Sequence, residues 1–429
     1  MPAHPTRRLS PTLALTLLAA IGIIGFTDRI IMNVLVEPVK AQFGLSDTEI
    51  GLVNGLAFAL LNIILGLVVA RVAERSRRLT LVAIGTFFWS LATAATGMAQ
   101  NFVQLMLARI GVGVGEAVGL PATGSVIADY FPPAKRATAI SVLNLSAPIG
   151  ALIGAMGGSI IAARWGWQYA LYAAAVPGLI LAVLVHLFVE EPPRGQHDVV
   201  ANVDDVPSVK AVLWRYWQRR TMRHMLIGNA IASMIGFGLN AFVAAWLARR
   251  FGFSLVEAGV ASGLVASLPA AFGITAAGWL GDRWGRTNTR AYALIPAVSM
   301  LVATPIYIVG VLNSSAFWAV TLIGIAALVQ YTYMGTTFST FHNMLHPRMR
   351  ATGSAFTGLV YSLVGGGFGP LLMGALSDGL QSVAPTPGHA LAWAMAGAAS
   401  LYLWCALHYF LAARHIEAEL ALPTDPEPA

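Results

Sequence analysis

Apolar residues run in blocks of twenty or more along this chain, and short polar stretches separate the blocks. A helical run of that length crosses the hydrocarbon core of a bilayer at 1.5 Å per residue. Twelve such runs are present, near residues 12–36, 48–70, 79–98, 102–128, 137–161, 168–189, 222–248, 255–280, 290–311, 315–341, 351–376 and 388–412. A buried soluble core accounts for one or two runs of this kind, not for twelve. The pattern predicts an all-α integral membrane protein with twelve transmembrane helices.

The polar joints carry a repeat. Phe43 to Leu56 reads FGLSDTEIGLVNGL, and 208 positions later Phe251 to Leu264 reads FGFSLVEAGVASGL, with seven of fourteen positions in agreement. Ser46 with Glu49, and Ser254 with Glu257, each form S-x-x-E just before an apolar run. That is the capping-box pattern, in which serine accepts from the amide three residues on and glutamate reaches back. A helix entering lipid needs its first amides satisfied before it leaves water. Two further pairs keep nearly the same period. Ala70-x-x-x-Glu74-Arg75 is answered by Gly278-x-x-x-Asp282-Arg283, again 208 on, and the stretch Pro133 to Thr138 by Pro347 to Thr352, 214 on. Three pairs at helix ends predict a duplicated six-helix unit.

The expected organisation is a first bundle over 1–189, a linker over 190–221, a second bundle over 222–412 and a tail over 413–429. The linker begins EEPPRGQHDVVANVDDVP, rich in proline and acid. It ends KAVLWRYWQRR (210–220), whose mixture of Trp and Arg predicts a short helix lying along the membrane interface.

Composition agrees with the membrane reading. The 429 residues are 57% hydrophobic and only 10% charged, against roughly 25% charged in soluble proteins. The net charge of +7 raises nucleic acid or anionic lipid as a partner, and its distribution decides. With the N-terminus placed inside, 20 Lys and Arg fall in cytoplasmic segments; outside stand only Lys40, Arg164, Arg249 and Arg250. This is the positive-inside asymmetry, which puts both termini in the cytoplasm of a cell-membrane protein and leaves no call for nucleic acid. MPAHPTRR before the first run imitates a signal peptide. However, the run outlasts an h-region of about 7–15 residues and meets Asp28-Arg29 without a small-residue cleavage site, so an uncleaved first span is expected.

Several chemical signals are set aside. The one cysteine, Cys405, excludes an intrachain disulfide. His342 and His346 have zinc spacing without a third ligand, so no metal is expected. Gly111, Gly113, Gly115 and Gly119 imitate a dinucleotide fingerprint but lie in a membrane helix, where small residues permit close packing. None of the three lysines follows a glycine, so no nucleotide-binding P-loop exists. No cofactor is implied, the chain is not expected to be an enzyme, and uphill transport would draw on an ion gradient. A monomer is expected.

Two parallel six-helix halves resemble the major facilitator superfamily. GWLGDRWGR (278–286) resembles that superfamily's loop motif G-x-x-x-D-R-x-G-R. The first-half copy ARVAERSRR (70–78) departs from it at Ala70, Glu74 and Arg77. The resemblance implies a cytoplasmic latch at Asp282, Arg283 and Arg286, with Glu74 and Arg78 as weaker counterparts. Arg109 and Gly113 resemble the R-x-x-x-G of the fourth span. GFTDR (25–29) with GVGEA (113–117) is similar to the spinster branch, whose proposed cargoes are sphingolipids and lysophospholipids.

Only Asp28, Arg29, Arg109 and Glu116 are charges lying well inside expected spans. Each costs about 2.5–3.5 kcal/mol at a helix centre, so such groups persist by pairing or by facing a cavity. Arg109 and Glu116 are seven residues apart, hence on one helix face. Counting rise along the first and fourth spans places Asp28 level with Arg109 and lets Arg29 reach toward Glu116. A low-dielectric setting favours the neutral form of a carboxyl, which makes Asp28 and Glu116 the expected proton carriers. Arg29 and Arg109 offer donor forks to an anionic substrate. The second half answers with uncharged polar groups, Asn240, Gln330, Tyr331 and Tyr333, as the expected remaining contacts. An amphipathic anion fits a cavity so divided, and a small organic anion or an exported metabolite is the alternative.

Overall fold

The structure is a computed structural model that describes residues 11–59, 65, 76–194, 208–285, 287–346 and 349–422. Among these residues every regular element is helical. The first half contains α1 (Pro11–Val34), α2 (Val36–Phe43), α3 (Asp47–Gly51), α4 (Arg78–Gly97), α5 (Phe102–Tyr130), α6 (Pro133–Asn144), α7 (Ser146–Trp165) and α8 (Trp167–Phe188). The second contains α9 (Val209–Gln218), α10 (Arg220–Phe251), α11 (Leu255–Gly285), α12 (Ala291–Leu312), α13 (Ala316–Met344), α14 (Arg350–Val360), α15 (Gly369–Leu380), α16 (Pro387–Ser400), α17 (Tyr402–Ala413) and α18 (Ile416–Leu420).

Among the described residues eleven helices are long and apolar enough to cross a membrane. They coincide with eleven of the expected spans, with α6–α7 and α16–α17 each making one crossing, as does the stretch Thr352–Leu380. The remaining expected span, 48–70, is described only over its first twelve residues and at 65. Apolar side chains on the outside confirm the solvent these helices are built for. On α4, Ile84, Phe87, Phe88 and Leu91 are exposed at helical spacing, while Val82, Thr86, Trp89 and Thr93 on the other face are buried.

The chain divides into two compact units, one of residues 1–43 and 57–201, the other of 44–56 and 202–429. Within the first, α4 packs along α5 and α8, and α1 along α7 and α8. Within the second, α12 packs along α13 and α17, and α10 along α17 and the stretch 361–380. Third span on fourth and sixth, first on fifth and sixth, recurs six spans later, as duplication requires. In the first unit Gly150 and Gly154 bring α7 onto α1; a Cβ at either would lie 2.5–2.6 Å from the carbonyl oxygens of Ile23 and Thr27.

The repeated sentence is a stop-and-restart device. Gly44 and Gly252 both adopt left-handed backbone, φ 65° and 69°, which favours glycine. Two residues on, each serine opens a helix. The Glu49 amide donates to Ser46 Oγ at 3.1 Å and the Ser46 amide to Glu49 at 2.8 Å; Ser254 and Glu257 repeat the pair at 3.3 and 2.8 Å.

Residues 44–56 come from the first half of the sequence but pack within the second unit, unlike the boundary expected from the repeat. The cause is close backbone contact between α3 and α15. A Cβ at Gly51 would sit 2.3 Å from the Pro370 carbonyl oxygen, and one at Gly374 2.1 Å from that of Asp47. Beyond α3 the helix widens to π form over Leu52–Leu56, as it does over Tyr361–Phe368, which no sequence period foretold. At the chain's far end, the Glu419 carboxylate on α18 accepts from the amides of Arg220 and Thr221, at 2.9 and 3.0 Å, and so caps α10.

Candidate functional site

The four charges expected to converge do so inside the first unit. Asp28 and Arg29 are consecutive on α1, so their side chains diverge by about 100° around the helix. Asp28 turns to α4 and α5, where Thr93 Oγ1 donates to one carboxylate oxygen at 2.8 Å and Arg109 to the other at 2.9 Å. Arg29 turns to Glu116, giving it a bond from Nε at 3.0 Å and a second, shorter one from the guanidinium fork. The pairing anticipated from the rise along two antiparallel spans is the one observed.

Local sequence explains how Glu116 is held. A Cβ at Gly113 would lie 2.5 Å from the Phe58 carbonyl oxygen, and one at Gly115 2.6 Å from the Trp89 amide nitrogen. The glycines of GVGEA thus let α5 approach its neighbours on both sides at the level of the glutamate. Phe58 lies beneath both arginines, with its ring centre 4.6 Å from the Arg29 guanidinium carbon and 5.9 Å from that of Arg109. Such stacking supports cations away from water.

The quartet is incompletely bonded. Glu116 Oε1 and Arg109 Nε are buried without a hydrogen-bond partner among the described residues. Asp28, Arg109 and Glu116 are buried, whereas the Arg29 side chain retains 29% exposure. Arg29 is therefore the member through which the cluster meets its surroundings. A buried polar atom left unbonded costs about 1–3 kcal/mol, so it marks a place where another partner is wanted.

In the second unit, Asn240, Gln330 and Tyr331 line a small recess together with Gly236, Tyr307 and Met395. Tyr333 is not on its wall; two residues from Tyr331 on α13, it points to the far side and is buried. A polar group absent from the expectation appears instead. Tyr402 Oη is fully buried without a partner among the described residues, and a Cβ at Gly236 would lie 3.7 Å from it and 3.5 Å from Gln330 Nε2. A tyrosine near the middle of the last span was the available signal.

A second charged cluster was not foreseen. Arg249 donates to both carboxylate oxygens of fully buried Asp47, at 2.6 and 2.7 Å, and Ser377 Oγ donates at 2.7 Å. The Asp378 carboxylate accepts from the amides of Asp47 and Thr48, at 3.1 and 2.8 Å. Asp47 reads in sequence as a first-turn acid and Arg249 as a loop charge; their partners lie 202 or more residues away.

Of the expected latch, Arg78 is buried and bonded to Asp129 at the end of α5 and to Glu191 after α8. Arg283 is exposed and stacks over Trp279 at 5.7 Å. Glu74, Arg286 and the Asp282 side chain lie outside the described residues. Among the described residues no three His, Cys, Asp or Glu side chains are grouped as metal ligands. His342 bonds Ser354 at 2.9 Å.

Comparison with known proteins agrees with this architecture. The chain is 30% identical over 374 residues to an MFS-type efflux pump of Mycolicibacterium smegmatis, covering 86% of this chain and 84% of the relative. It is 27% identical over 396 residues to protein spinster homolog 1 of Bos taurus, covering 86% and 73%. The crystal structure of a bacterial homologue of the human lysosomal transporter spinster, described as inward-facing and unoccupied, superposes with a TM-score of 0.87 at 27% identity, over 97% of this chain and 99% of that one. The Major Facilitator Superfamily model matches residues 17–370. The chain is a multi-pass membrane transporter with spinster-like relatives, not an enzyme, and it belongs to the major facilitator superfamily.

Proposed function

We propose that this transporter works by alternating access, couples to protons, and moves an amphipathic anion such as a lysophospholipid or a sphingolipid. The incompletely bonded quartet is the observation that carries the reading. Arg29 holds Glu116 only while that carboxyl is ionised. Protonation of Glu116 removes the charge that Arg29 binds, and the freed guanidinium takes a phosphate or carboxylate in its fork. Asp28 and Arg109 form the second such exchange, deeper in the same unit. Each arginine then alternates between an internal carboxylate and cargo, so proton binding and substrate binding become linked through one pair of donors. Asn240, Gln330, Tyr331 and Tyr402 offer hydrogen bonds without charge, which suits the neutral part of such a molecule. Asp282, Arg283 and Arg286, with Glu74 and Arg78, serve as the cytoplasmic latch. Both termini face the cytoplasm, and the protein acts in the cell membrane as a monomer.

Similarity to the mycobacterial efflux pump favours a second reading, export of a small organic anion or drug-like metabolite. Proteoliposome uptake against a panel of lipids and organic anions, with and without a pH gradient, decides between them. The proposal expects saturable, gradient-stimulated movement of a lysolipid that disappears in Glu116→Gln. Gradient-driven movement of that lipid at full rate in the variant removes Glu116 from the coupling step, and movement of organic anions alone selects the second reading.

A further inference from the structure

The linker helix α9 has two faces with different work. Val212, Arg215 and Tyr216 are buried. The Tyr216 hydroxyl donates to the Gly353 carbonyl at 3.1 Å and shares a 2.9 Å bond with Thr357 on α14. Its ring meets Phe341 and Phe356 edge-on, each at 5.2 Å between centres. Burial pushes this phenol up to about 12, so it remains a neutral donor at physiological pH. α9 is thus seated on α13 and α14 by a tyrosine plug.

The opposite arc is apolar and uncovered. Val209, Leu213, Trp214 and Trp217 are 62%, 38%, 57% and 61% exposed. A tryptophan alone offers roughly 150–250 Å² of surface to bury, so this arc is expensive to leave in water. Lys210 stands exposed in the same arc, and Arg220 follows, also exposed. The Arg223 guanidinium stacks over Trp217 at 5.3 Å. No acidic residue occurs from Ser208 to Arg223. α11 ends on the same side of this unit with the same pairing, Arg283 over exposed Trp279.

We propose that α9 is an interfacial anchor for anionic lipid, with Lys210, Arg220 and Arg223 meeting lipid phosphates while Val209, Leu213, Trp214 and Trp217 enter the boundary between headgroups and acyl chains. The bilayer is the occupant for two reasons. α9 passes through one residue, Arg219, into the membrane-crossing α10, so its uncovered arc lies at the level where the span enters the bilayer. Tryptophan beside arginine is also the side-chain pair that suits a layer apolar on one side and charged on the other. Three basic side chains against the single Glu419 carboxylate at the Arg220 and Thr221 amides leave the flank net positive. That balance selects anionic headgroups over zwitterionic ones, and the attraction reaches about a Debye length. Through Tyr216 the anchor is tied to α14, so membrane charge bears directly on a helix that leads into the π segment at 361–368.

Cys405 is buried and is the one cysteine, so a thiol placed on α9 is the accessible one. The full chain carrying L213C, spin-labelled, is reconstituted in phosphatidylethanolamine–phosphatidylglycerol vesicles and in phosphatidylcholine alone. Relaxation by oxygen and by a water-soluble nickel chelate then reports depth. The proposal expects a label shielded from nickel in the anionic vesicles and less so in phosphatidylcholine. K210Q and R220Q should each lower the inserted population about five-fold, and high salt should act in the same direction. A label fully open to nickel in every lipid mixture overturns the anchor. Equal depth in both mixtures, unchanged in K210Q/R220Q, overturns the charge selection. Shielding that appears in detergent only as protein concentration rises identifies a second copy as the occupant and overturns the lipid assignment.

Discussion

The buried cluster around Asp47 in the second unit and the one around Glu116 in the first both pair carboxylates with arginines and are finished differently. Around Asp47, every carboxylate oxygen is bonded: Arg249 covers both, Ser377 adds a third donor, and Asp378 ties down the adjoining amides. Around Glu116, one carboxylate oxygen and one arginine nitrogen lack partners among the described residues, and Arg29 keeps partial exposure. A complete cluster has nothing to gain from a new ligand. An incomplete one does, because each unbonded buried atom can recover about 1–3 kcal/mol when a proton or an anion arrives. Satisfaction, rather than burial or charge, separates the cluster that holds the fold from the cluster suited to exchange.

The contrast is breakable. The largest effect is expected from Asp47→Asn, which leaves Arg249 buried opposite a neutral group and should lower stability by about 3–5 kcal/mol. Thermal unfolding in detergent measures it, and the charge-free pair Asp47→Leu with Arg249→Met should recover most of the loss. Retention of wild-type stability in the single variant would mean that the complete cluster is not structural. Glu116→Gln should leave unfolding within about 1–2 kcal/mol of wild type, since solvent reaches Arg29 and an acceptor remains. Its proton-driven transport should nonetheless vanish in proteoliposomes. Arg109→Lys replaces a fork by a point charge, and substrate binding by calorimetry should weaken about ten-fold, or roughly 1.4 kcal/mol. An unchanged affinity would remove Arg109 from headgroup recognition. Smallest is Tyr402→Phe, which deletes a hydroxyl with no partner among the described residues. Stability should move by less than about 0.5 kcal/mol, while affinity for a substrate that uses this hydroxyl falls several-fold. A marked loss of stability would show that the hydroxyl is already engaged.

What was legible in the sequence was whatever the physics makes local. Span length, the S-x-x-E caps at Ser46 and Ser254, and the seven-residue spacing of Arg109 and Glu116 all follow from helix geometry, and the structure bears them out. The pairing of α1 with α5 was also accessible, because two antiparallel spans of known rise fix which residues share a level. Tyr333 does not line the recess that Tyr331 lines, for a local reason: residues two apart on a helix do not face the same way. The Asp47 cluster was different. Its members are brought together by glycines that allow backbones to touch at Gly51 and Gly374, and no periodicity encodes which distant helix fills that space. The π segments at 52–56 and 361–368 escaped in the same way, since they meet where Gly55 approaches the Gly367 carbonyl, at 2.5 Å from a built Cβ.

The Glu419 cap on α10 bears on how the protein is handled. The short helix α18 closes the first turn of a helix about two hundred positions earlier, so it is part of the second unit's framework. A reporter or affinity handle fused beyond Leu422 leaves those two bonds in place. One joined upstream of Glu419 strips both amides of their acceptor at the point where the chain enters the lipid.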